Sequence, residues 1–98
     1  MESQILKEMI KNKTLSINDK PIEIVVTFDG NKNMLKQTCK FNLDDGYCLS
    51  ITVDCDDYVD LTITGYFYGQ EKIKITYDLC DNDFDYYNKI IKYWGIKW

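Results

Sequence analysis

Residues 47–64 read YCLSITVDCDDYVDLTIT, and the alternation in that stretch decides the fold. Apolar side chains stand at Tyr47, Leu49, Ile51 and Val53, then again at Val59, Leu61 and Ile63, separated by Ser, Thr and Asp. A period of two places each set on one side of a β-strand and the polar set on the other. Between the two runs, Asp54, Asp56, Asp57 and Asp60 crowd into seven residues, a composition suited to reversing the chain. Two antiparallel strands with one dry face and one wet face follow.

The same parity extends in both directions. A strand over 34–43 turns Leu35, Cys39, Phe41 and Leu43 inward and ends at Asp44-Asp45-Gly46. Beyond Gly69, a strand over 71–79 turns Ile73, Ile75, Tyr77 and Leu79 inward. Ahead of them, Ile22, Ile24, Val26 and Phe28 share a face before the hairpin signal Asp29-Gly30. Leu15 and Ile17 suit a sixth, short strand. Connections this short make sequence neighbours into hairpin partners, so the simplest topology is a meander.

At the two ends the period changes to that of a helix. Ile5, Leu6, Met9 and Ile10 share one helical face, with Ser3 as a candidate cap; Phe84, Tyr87, Ile91 and Trp94 form another such face, opened at Asp83 and stopped at Gly95. The expectation is a single α+β domain over 1–98. Five or six antiparallel strands form its meander sheet, with N- and C-terminal helices packed on one face.

Composition narrows the chemistry. The chain has 98 residues, a formal charge of −4 and 45% apolar residues, enough for one core. No apolar run is long enough to span a bilayer, and the N-terminus mixes charged and apolar residues instead of offering a basic and then an apolar segment. A cytoplasmic chain is expected, in the host cytoplasm if it is phage-encoded. Cys39, Cys48, Cys55 and Cys80 should then remain thiols. They form no C-x-x-C pair, and without histidine a zinc site would need all four. A calcium loop is a poor match too, because DCDDYVD lacks the central glycine and the terminal glutamate. No metal or cofactor is expected.

Neither His nor Arg occurs, so no imidazole pairs with a nucleophile and no guanidinium clamps a phosphate. Two carboxylates could in principle serve a hydrolase, but a thin sheet-and-helix domain offers little depth for a substrate. The chain reads as a binding protein, not an enzyme.

What it would bind follows from how a meander sorts its loops. The loops at 29–32, 55–58 and 79–84 share one end of the sheet, and those at 44–46 and 69–70 share the other. The first end gathers Asp29, Asp54, Asp56, Asp57, Asp60, Asp78, Asp81, Asp83 and Asp85, with Lys32 as counter-charge. Residues 41–88 hold eleven acids and two lysines, a net of −9, while both flanks are positive. Like charges within a Debye length of about 8 Å oppose folding. Part of this acidity has a local explanation: aspartate bonds to turn amides, and Asp81 and Asp83 suit a helix N-terminus. The rest points to a basic protein partner, because a dense acidic rim accelerates encounter with cationic clefts. Tyr66 and Tyr68, on the polar parity of their strand together with Tyr58, are candidate anchors. Direct nucleic-acid binding is disfavoured by the negative charge.

An amphipathic N-terminal helix running into Ile10-Lys11-Asn12-Lys13, followed by an antiparallel sheet with aspartate-rich loops in under 100 residues, resembles the small acidic prophage-encoded anti-CRISPR inhibitors of Cas9. The resemblance implies carboxylates presented to the cationic surface that reads the PAM, in imitation of DNA. This chain departs from that pattern in having more strands and a single C-terminal helix. The leading expectation is a non-enzymatic inhibitor of a basic, nucleic-acid-handling protein such as a CRISPR effector or nuclease. The alternatives are an immunity protein that neutralises a nuclease toxin, and a structural or oligomerisation module using the open face or an edge strand.

Overall fold

The computed structural model describes residues 2–56 and 58–94. Its elements are α1 (Glu2–Lys11), β1 (Glu23–Phe28), β2 (Met34–Asn42), β3 (Tyr47–Asp54), β4 (Asp60–Phe67), β5 (Gln70–Asp78) and α2 (Asn82–Tyr93). The five strands form one antiparallel sheet in the order β1-β2-β3-β4-β5, so the meander and the α+β class stand as expected. Expected positions at Asp57 and Gly95, and the side chain of Ser3, lie outside the described residues.

The hairpins are built from local chemistry. Between β4 and β5, Tyr68 and Gly69 both take positive φ, +49° and +82°, which gives the two-residue turn whose twist matches the strands. Tyr68 tolerates the strain because its ring lies directly over Gly46, where a Cβ would come within 2.6 Å of it, and its N–H donates to the Gly46 carbonyl at 2.9 Å. The sixth strand does not form. At that place the backbone N–H of Ser16 donates to Asp19 Oδ2 at 2.6 Å and that of Asn18 to Ser16 Oγ at 3.3 Å, so side chains take the groups a strand would need.

One core cluster joins the helices to the odd face of the sheet: Leu6, Ile10 and Leu15, then Cys39, Phe41, Tyr47, Leu49, Ile51, Val53, Leu61 and Ile63, then Phe84, Tyr87, Ile90 and Ile91. α1 packs on β4 and β5, and Gly65 makes the approach possible. A Cβ on Gly65 would lie 2.7 Å from Ile73 Cγ2 and 3.1 Å from Leu6 Cδ1.

α2 is tied to the end of α1 rather than only to the sheet. Tyr87 Oη donates to the carbonyl of Ile10, in the last turn of α1, at 2.7 Å, and Tyr86 Oη donates to the carbonyl of Leu15 in the segment that follows. The same helix end closes through Lys13 at φ +55°, with Lys13 N–H to Ile10 O at 3.1 Å and Thr14 N–H to Met9 O at 3.1 Å, a Schellman pattern.

The dry face is not dry to its border. Ile24 and Phe28 of β1 keep 39% and 58% of their surface exposed, and Leu79, expected inward, lies beyond β5 at 60%. Conversely Gln37, on the apolar parity of β2, is fully buried. Its amide donates to Cys39 Sγ at 3.4 Å while its Oε1 has no partner. All four cysteines are free. No helix among the described residues is long and apolar enough to cross a membrane.

Candidate functional site

The register aligns the wet face into cross-strand rows. Row by row from β1 to β5, the pairs give Glu23, Lys40, Ser50, Thr64 and Lys74; then Val25, Thr38, Thr52, Thr62 and Thr76; then Thr27, Lys36, Asp54, Asp60 and Asp78. Thr38 and Thr52 share a hydrogen bond of 2.9 Å, and Thr62 and Thr76 one of 3.2 Å. Charge is therefore graded along the strands: lysines border the threonine band on one side and carboxylates on the other. In the last row Asp60 stands directly opposite both Asp54 and Asp78, an arrangement that opposes strand pairing.

The acidic end separates into working and uncommitted carboxylates. Asp29 accepts the backbone N–H groups of Asn31 and Asn33 at 2.8 and 2.9 Å. The Asn33 bond foremost, with lesser help from Asn31, holds its carboxyl below the usual carboxylate range against the opposing effect of desolvation. Asp54 accepts the Asp56 N–H, Asp78 the Cys80 N–H, and Asp81 the Asp78 N–H, at 3.1, 2.9 and 3.0 Å. Asp81 thus occupies the N-cap position of α2 without a side-chain cap bond, while Asp83 and Asp85 lie in the first turn, where the helix dipole favours them.

Two cations absent from the sequence-based picture also reach this end. Lys13 Nζ lies 3.2 Å from Asp83, and Lys36 Nζ lies 3.9 Å from Asp54. Both pairs are half exposed, so each contributes little. Among the described residues, Asp56, Asp60 and Asp85 have no ion pair.

Of the expected site residues, the chain brings Asp54, Asp56, Asp60, Asp78, Asp81, Asp83 and Asp85 to one end. Tyr66 and Tyr68 are not there. Tyr66 lies six residues along β4 from Asp60, about 20 Å away at strand spacing. Tyr68 belongs to the turn at the opposite end and supports Gly46. Among the described residues, the large exposed apolar side chains at the acidic end are instead Tyr58, 68% exposed, Leu79, and Phe28 at the end of β1. Alternation conceals Leu79, because it continues the inward parity one residue past the strand. The aspartates of the 78–81 turn were the available signal that pairing stops there.

Burial, and secondarily the charge of Asp54, pushes the Cys55 thiol up, so it is not an activated nucleophile. Among the described residues no three His, Cys, Asp or Glu side chains are grouped to hold a metal ion. Comparison with known proteins found no matching family model, no matching curated protein and no matching solved structure.

Proposed function

We propose that this chain is a non-enzymatic inhibitor that docks its acidic end onto a basic surface of a nucleic-acid-handling protein, in its most concrete form a phage anti-defence protein acting on a CRISPR effector. The observation that carries this reading is the Asp54-Asp60-Asp78 row, bordered by exposed Tyr58 and Leu79. Charges that repel one another in the free protein are relieved when a cationic partner covers them, so the unfavourable row favours the bound state. Apolar side chains among the carboxylates supply what charge alone does not, a desolvated centre for the contact.

The test replaces the carboxylates that build no turn. Asp56→Asn, Asp60→Asn and Asp85→Asn are combined, and displacement of labelled duplex DNA is followed from guide-loaded Cas9 and from a panel of purified nuclease domains. The wild-type chain is expected to displace DNA from at least one of them, less effectively as salt rises, and the triple variant at least about tenfold less well. Failure of the wild-type chain on every target, or equal potency of the variant, overturns the reading.

A further inference from the structure

The two borders of the sheet differ in a way that bears on assembly. β5 carries Glu71, Lys72, Lys74 and Asp78 along its length, charges that discourage another strand from pairing with it. β1 reads EIVVTF, and its one charge, Glu23, is turned across the sheet to Lys40 at 3.1 Å. None of the usual protections, a lysine, a proline or a central bulge, is present in β1; its irregularity falls at Thr27/Phe28. The helices leave this border open, so Ile24 and Phe28 are exposed on the same face on which Gln37 and Cys39, one strand inward, are fully buried; Ile22, just ahead of the strand, instead lines a hollow on the wet face with Lys40, Ser50 and Tyr66 and donates its N–H to Lys40 O at 2.7 Å.

The backbone of the open border can be assigned. Cys55 N–H donates to Leu35 O at 2.7 Å and Leu43 N–H to Tyr47 O at 2.8 Å, so odd residues of β2 bond to β3. Alternation then turns Lys36, Thr38 and Lys40 toward β1, where they pair with Thr27, Val25 and Glu23. The N–H and C=O groups of Ile24 and Val26 are left facing outward.

We infer that β1 pairs antiparallel with β1 of a second copy of this chain about a two-fold axis at Val25, joining two sheets into one of ten strands. In that register Ile24 of each copy exchanges both main-chain hydrogen bonds with Val26 of the other. Those two side chains meet on the face that carries the helices, Val25 meets its own counterpart on the wet face, and Glu23 stands opposite Thr27 rather than opposite another Glu23. From Ile24 to Val26 every apolar residue of the edge finds an apolar partner and no like charges are opposed, which is why the occupant is a second copy and not an unrelated strand. The axis runs perpendicular to the sheet, so the two acidic ends project from opposite borders of the dimer. Such a dimer would engage two basic surfaces at once, but the pairing itself does not depend on what those ends bind.

The experiment combines sedimentation with site-specific crosslinking. The wild-type chain is expected to shift from monomer to dimer between about 5 and 500 µM, the range in which a small strand-edge interface associates, and Val25→Lys is expected to weaken this at least about tenfold. Because Val25 is half exposed on the wet face, circular dichroism should show the fold of that variant intact. In a Cys80→Ser background, Val25→Cys should crosslink to dimer on mild oxidation, since non-hydrogen-bonded pairs place Cα atoms about 4.5 Å apart, within disulfide reach. Thr27→Cys should not, its two copies lying roughly 14 Å apart. A monomer at every concentration, or equal crosslinking at the two positions, overturns the inference.

Discussion

Asp60→Asn should make the protein more stable, which is unusual for a substitution at a strand position and tests the electrostatic account directly. Asp60 faces Asp54 on one side and Asp78 on the other. Carboxylates on adjacent strands in register sit about 5–6 Å apart. In water each pair repels by about 0.7 kcal/mol, and physiological salt screens that to about 0.3 kcal/mol. The half-buried position of Asp60 reduces the effective dielectric, so removing two such repulsions should yield about 0.5–1.5 kcal/mol. For a domain of this size that corresponds to a rise of roughly 3–10 °C in Tm. Asparagine keeps the shape and is no better a strand former, so charge is isolated. Differential scanning calorimetry at low and high sodium chloride provides the assay. The gain should be largest at low salt and shrink as salt rises. A variant no more stable than wild type, or a gain indifferent to salt, would refute the claim that these carboxylates repel one another in the folded chain.

Three further outcomes are expected. Gly65→Ala forces a methyl to within 2.7 Å of the β-branched Ile73 and 3.1 Å of Leu6, and should lower stability by about 1–3 kcal/mol in urea titration; an unchanged midpoint would show that α1 does not rest on β4 as described. Gln37→Leu removes a buried carbonyl oxygen that has no partner at similar volume, so Tm should rise by an amount equivalent to about 1–2 kcal/mol; a fall would mean that the amide is satisfied by water. Burial, with Tyr77, Tyr86 and Asp83 adding to it, pushes the Tyr87 phenol above its ordinary range. A phenol raised in the folded state contributes stability that is complete below about pH 10 and is lost as pH climbs beyond it. Tyr87→Phe should therefore be less stable at neutral pH, for want of the bond to Ile10 O, yet lose less on alkaline titration; parallel pH curves for the two proteins would contradict this.

Much of this molecule is legible without coordinates because its signals are short-range. Alternation from Leu35 to Tyr77 depends only on the pleat, and turns such as Tyr68-Gly69 and Asp44-Asp45-Gly46 reverse the chain within a few residues. Neighbouring strands must then pair, and it follows that Asp54, Asp60 and Asp78 gather at one end. The local roles of several aspartates are legible for the same reason, since a carboxylate that bonds to an amide two residues away needs no tertiary context.

What alternation could not supply is how far the helices reach across the sheet. Ile24, Phe28 and Leu79 have the same parity as buried neighbours but remain exposed, because a period of two assigns a side and says nothing of whether that side is covered. Coverage is decided by contacts between residues far apart in the chain: Tyr87 holds the last turn of α1 and Tyr86 the segment after it, and the missing side chain of Gly65 admits Leu6. Those contacts draw both helices together over part of one face and leave β1 bare. The open border and the apolar residues among the carboxylates are thus properties of packing, settled only when segments distant in the chain compete for the same surface.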